Sequence, residues 1–147
     1  MLDRAIAQRR DIVEAIGRQA VLADEAPVET ILRFIAAHLD SLAADPGFLL
    51  LVDRESLSRR PRVYESEAQL QSLRATIEAV AAQLDRGGYD HIDPRQLMIS
   101  SLGLCEWAFT HRPLVAGLGF DPTDPAFISE RKRHIIALVR AALAHGQ

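Results

Sequence analysis

The sequence predicts an all-α domain, a bundle of about six helices. Three observations carry that expectation. Each long periodic segment places its apolar residues at i, i+3, i+4 and i+7, the spacing of one helix face. An Asp-Pro pair occurs three times, at Asp45-Pro46, Asp93-Pro94 and Asp124-Pro125, where a capping carboxylate followed by a first-turn proline starts a helix. No stretch alternates with the two-residue period of a strand, and no internal repeat or low-complexity tract interrupts the pattern.

Leu2, Ile6, Ile12, Val13 and Ile16 form the apolar side of a first helix running from Leu2 to Ala20, with Arg and Glu on its other side. Gly17 weakens it, and the stretch from Ala23 to Ala26 ends it. Pro27 then opens a second helix whose stripe is Val28, Ile31, Leu32, Ile35, Leu39 and Leu42. Asp45-Pro46 begins a short helix through GFLLLVDRE, and Arg59-Arg60-Pro61-Arg62 reads as a basic, solvated loop. From Tyr64 to Arg86 runs a further long helix with Leu70, Leu73, Ile77, Val80 and Leu84 on one side. Gly87-Gly88 stops it, because glycine accepts the left-handed conformation at a helix end.

Asp93-Pro94 launches the most informative segment, LMISSLGLCEWAF from Leu97 to Phe109. At about 100° per residue, one face gathers Met98, Ser101, Leu102, Cys105 and Phe109. A second gathers Leu97, Ser100, Leu104, Trp107 and Ala108. Glu106, Ile99, Thr110 and Gly103 are left for a narrow strip facing water. One apolar stripe suffices for a surface helix, so two require another layer of the domain or a partner chain. Pro113 to Asp121 reads as a loop with one apolar turn. Asp124-Pro125 starts the last helix, whose apolar residues cover close to half its circumference up to about Ala144.

The chain's 147 residues suit one domain with a sizeable core. Its net charge of −3 argues against autonomous nucleic-acid binding, which usually shows as a basic patch. One cysteine forbids an intrachain disulfide and fits a reducing compartment. The opening MLDRAIAQRRDIVEAI is too charged for a signal peptide. The longest apolar run, Gly47 to Val52, is far short of the roughly 20 residues of a membrane span. The expected location is the cytoplasm.

Little in the sequence points to catalysis. No Glu is followed three residues later by His, as a di-iron bundle requires. Glu130 and His134 read as a surface pair. His91 lies between Asp90 and Asp93, but Asp93 is better explained as a cap. Cys105 has apolar neighbours on its face, which raise a thiol pKa rather than lower it. There is no phosphate-binding glycine loop and no nucleophile elbow. No catalytic residue, metal site or cofactor is expected. Phe34, His38, Phe48, Tyr64, Met98, Cys105 and Phe109 occupy inward-facing or helix-end positions on different helices. Together they could line a pocket, with His38 as its polar handle.

From about Pro27 onward the chain resembles the C-terminal domain of TetR-family transcriptional regulators. The likeness rests on the helix, Asp45-Pro46, short-helix layout, on GGYDHIDPRQLMISSLGLCEWAF, and on LVAGLGFDPTDPAFISERKRHIIALVRAAL. The family's helix-turn-helix ends in a Tyr-x-x-Phe-x-x-Lys-x-x-Leu pattern that is not found here. MLDRAIAQRR looks like the start of the connecting helix, residues 1–22, which follows that DNA reader. The resemblance implies that residues 1–147 are an effector-binding and dimerisation domain without catalysis. It implies a homodimer in which the last two long helices form a four-helix interface through Leu97, Ser100, Leu104, Trp107, Ile135, Leu138, Val139 and Ala142. It implies a small hydrophobic effector within Phe34, His38, Phe48, Leu73, Ile77, Met98, Cys105 and Phe109. DNA would be met only through a helix-turn-helix outside this sequence. Rival readings are a stand-alone helical dimer that binds a hydrophobic ligand or titrates a partner regulator, and a small helical enzyme using His38 or Cys105.

Overall fold

The computed structural model describes residues 2–56 and 63–145. The basic Arg59, Arg60 and Arg62 segment and the Tyr64 side chain lie outside what it describes. Among the described residues there are seven helices: α1 (Leu2–Leu22), α2 (Pro27–Ala44), α3 (Gly47–Ser56), α4 (Val63–Gly87), α5 (Pro94–Thr110), α6 (Arg112–Gly117) and α7 (Pro125–Ala144). The fold is all-α. The helix beyond the expected six is α6, at the place read as a loop with one apolar turn. Pro113 sits in its first turn, where a missing N–H costs nothing. The buried Val115 anchors it.

α2 is the centre of the bundle, in contact with α1, α4, α5 and α7. Its stripe from Ile31 to Leu42 is buried as the periodicity predicts, and Phe34 is buried with it. Thr30 is fully buried as well, and its hydroxyl donates to Glu25 Oε2 at 2.9 Å, so no polar atom is left without a partner there. Ile135, Val139 and Leu143 of α7 join the same core. Across the surface, Arg140 pairs with Glu29 and Lys132 with Asp40, linking α7 to α2 at two levels.

Gly17 does not break α1, which continues to Leu22. Asp24 ends it with φ of 49°, a left-handed conformation that aspartate tolerates better than most residues. The corner that follows is pinned from two sides. Arg33 donates to Gln19 Oε1 at 2.8 Å and Glu25 Oε2 at 3.2 Å, and Arg86 donates to the Glu25 carbonyl at 2.5 Å. At the end of α4, Gly88 has φ of 74°. A Cβ on Gly87 would stand 2.4 Å from the Tyr89 ring and 3.3 Å from Pro27, so a larger residue there would have to displace the Tyr89 ring from the end of α4.

Two of the three Asp-Pro pairs cap as expected. Asp93 accepts from Arg95 N at 2.8 Å and Asp124 from Ala126 N at 2.9 Å. Asp45 plays a different part: it closes α2, its N–H donating to the Ser41 carbonyl at 3.1 Å. The Arg95 guanidinium and the helix-start amides hold the Asp93 carboxyl down at about 2.

Two stability predictions follow from this packing. Leu42 is 0% exposed, so Leu42→Ala should cost about 2–5 kcal/mol in urea unfolding at fixed protein concentration. Asp93 is depressed in the folded state, so its contribution is present above the ordinary carboxyl pKa and fades as pH falls toward 2. Asp93→Ala should lower Tm at neutral pH. It should also flatten the loss of Tm between roughly pH 4 and 2, as read by circular dichroism melts.

Candidate functional site

Five helices enclose a cavity of about 310 Å³. α1 supplies Ile6, Arg9, Ile12 and Val13, and α2 supplies Phe34, His38 and Ser41. Phe48 and Leu49 come from α3, Leu73 and Thr76 from α4, and Met98, Ser101, Cys105 and Glu106 from α5. The walls are predominantly apolar, with a few polar groups converging on them, the composition of small-molecule sites in general.

Of the residues expected to meet in a pocket, Phe34, His38, Phe48, Leu73, Met98 and Cys105 stand together in this wall. Ile77 and Phe109 do not. Ile77 is half-buried against the core at a point where Thr76 and Val80 face the cavity instead. Phe109 is buried one helical turn beyond Cys105, past the cavity's end.

The polar groups were the harder part to anticipate. Glu106, assigned from the helical wheel to a strip facing water, turns toward α2, and its Oε1 lies 3.2 Å from His38 Nε2. The periodicity of the first helix gives Arg and Glu its outer side and no inward role to Arg9. Instead its guanidinium lies over the Phe48 ring, Cζ being 3.4 Å from the ring centre, a cation–π arrangement. Arg9 Nε and Nη1 are shielded from solvent and have no hydrogen-bond partner among the described residues. Burial pushes the Arg9 pKa down, and the charges of Asp45 and Glu106 oppose that shift. An arginine stays charged even so. The only sequence signal for Arg9 was its place between Ile6 and Val13, one turn from each on the apolar side.

Cys105 is 1% exposed, and burial, reinforced by the Glu106 charge and opposed by Arg131, pushes its thiol up to about 12. At neutral pH it is a protonated wall group, not a thiolate nucleophile. Among the described residues, no group of three or more His, Cys, Asp or Glu side chains is placed to hold a metal ion. Asp93 is engaged as a cap, and Glu130 and His134 lie on the exposed side of α7.

A second concavity, an open groove of about 450 Å³, runs between α5 and α7 on the outer surface. Leu97, Ser100, Leu104, Leu138, Val139 and Ala142 line it. Leu97 borders the inner cavity as well. Trp107 lies on the same helix face, 47% exposed, its ring stacked on His111 at 4.6 Å between centres. Ile135 was expected on this outer face, and there the placement differs: it is 1% exposed and belongs to the core beside α2. The reason is angular. Ile135 and Leu138 stand about 60° apart on α7, enough to turn Ile135 toward α2 and leave Leu138 toward the outer edge. Leu138 is 45% exposed. Arg131 fixes the two helices together, donating to the Leu104 carbonyl at 2.8 Å.

A family model described as the tetracyclin repressor-like C-terminal domain matches residues 27–139. Comparison with curated proteins and with solved structures found no match. The matched range opens on Pro27, the first residue of α2, and closes inside α7, so it takes in four of the five cavity walls and both sides of the outer groove. By that match over most of its length, the chain belongs to the tetracyclin repressor-like family, as a C-terminal domain of the kind that serves its regulators.

Proposed function

We propose that this chain is the effector-binding and dimerisation domain of a transcriptional regulator, that it catalyses no reaction, and that it works in the cytoplasm. One observation carries the reading: a mostly apolar cavity bounded by α1 on one side and by the helices of the family domain on the others. A small hydrophobic effector in it touches α1 and the body of the domain at once. α1, as the connecting helix, would carry its influence to a helix-turn-helix outside residues 1–147. The mechanism is a population shift. The effector regulates only in so far as it binds the DNA-competent and DNA-incompetent arrangements with different affinity.

The outer groove and the exposed Trp107 and Leu138 support a homodimer in which α5 and α7 meet their symmetry mates. A two-fold interface is self-complementary, and two apolar helices per subunit give a four-helix contact. Leu97, Ser100, Leu104, Trp107, Leu138 and Ala142 form the proposed contact, with Val139 at its floor. Ile135 supports it from the core.

Two measurements test this function. Light scattering should give a dimer for the wild type and a monomer for Leu104→Glu with Leu138→Glu, while circular dichroism stays helical; a folded dimer in the double variant refutes the interface. A neutral apolar compound that fits the cavity should raise Tm, since binding to the folded state stabilises it. Leu73→Trp, which fills the cavity from its exposed edge, should abolish that rise. An equal rise in Leu73→Trp places the ligand elsewhere.

A further inference from the structure

We propose that the cavity takes a monoanionic amphiphile, an apolar body ending in a carboxylate-type group, with Arg9 receiving the head. The inference rests on the reading of this cavity as an effector site and adds the class of its occupant.

The head group is argued from Arg9. A guanidinium presents five donors and no acceptor. Here Nε and Nη1 are buried without a partner among the described residues, and the ring of Phe48 covers one face. Arg9 as a whole is half-buried, but these two donors forgo the hydrogen bonds that water or a partner would give them, which is unfavourable. The charges of Asp45 and Glu106 offset part of this cost, but neither carboxylate bonds to Nε or Nη1: Glu106 is bonded to His38, and Asp45 is exposed. The Ser101 hydroxyl, in the same wall on α5, is buried and unpartnered too. Two helices thus present unused polar groups to one apolar space. An acceptor-rich head would satisfy the Arg9 donors, and a charged one would do so with bonds roughly twice as strong as neutral ones. A cationic head would meet Arg9 unfavourably.

The body is argued from size. A cavity of about 150 Å³ holds one benzene ring. At about 310 Å³, this one suits roughly ten to twelve non-hydrogen atoms by the same proportion. Phe34, Leu73, Val80 and Met98 give the body apolar surroundings.

The probes are decanoate, decan-1-ol and decylamine, which share a ten-carbon chain and differ in head charge. Calorimetric titration of the wild type near pH 7.5 should give decanoate an affinity at least about tenfold above decanol, with decylamine weakest. Arg9→Met keeps the apolar stem, so it should remove the preference for decanoate and leave decanol binding within about threefold. Equal or tighter binding of decanol in the wild type overturns the head-group assignment and leaves the effector-site reading standing. No binding of any of the three overturns both. The wild-type comparison decides the matter even if Arg9→Met fails to fold.

Discussion

The burial of α2 on nearly every side is the constraint from which the rest of the arrangement follows. A helix at the surface can satisfy itself with one apolar stripe. α2 touches four other helices, and its buried set from Thr30 to Leu42 spans more than one face. A helix so placed must find a partner for any polar atom it carries inward, which is why Thr30 bonds to Glu25 at the corner before it. α7 closes one side of α2 with aliphatic residues. On the other side α1 and α4 do not close completely against α2 and α5, and the cavity is the space left between them. Its position is thus a consequence of how many neighbours one central helix has to accommodate.

Much of this was legible in the sequence, and the part that was not has a physical explanation. Periodicity located the long helices because burial and helix geometry act on the same residues, as at Ile31, Ile35, Leu39 and Leu42. The two faces of α5 were readable for the same reason. What a helical wheel does not hold is the depth of a residue along the axis. Phe109 has the right angle for the cavity and lies a turn past it; on α4, Thr76 and Leu73 face it while Ile77 lies beside it. Polarity misled in the opposite direction. Arg9 and Glu106 look like solvent-facing residues because charged side chains normally are, yet a cavity is a place where a charge can face inward. Ile135 and Leu138 differ by three positions within the same broad apolar half of a helix, and only the position of α2 decides which of them is core. The short helix α6 was hidden by its length, since six residues give too few turns for a period to show.

The chemistry of the cavity is passive in a specific sense. Its thiol is held protonated by burial, and its imidazole is engaged with a carboxylate. Arg9 lies flat on an aromatic ring. These groups can select a molecule by shape, charge and hydrogen bonding. On the proposed reading as an effector site, the cavity's effect would come through affinity, as a change in how its walls sit relative to each other.

The corner at Asp24 determines what such a change can look like. Arg33 and Arg86 tie that corner to α2 and α4, and α1 departs from it as an unbroken helix. With a rise of about 1.5 Å per residue, Arg9 lies about 20 Å from the helix end at Leu22, and Leu2 about 30 Å. On the proposed reading α1 would act as a lever about its pinned end. The cavity bears on it about two thirds of the way along. A rigid tilt about the pinned end that moved Arg9 by about 1 Å would carry Leu2 by about 1.5 Å.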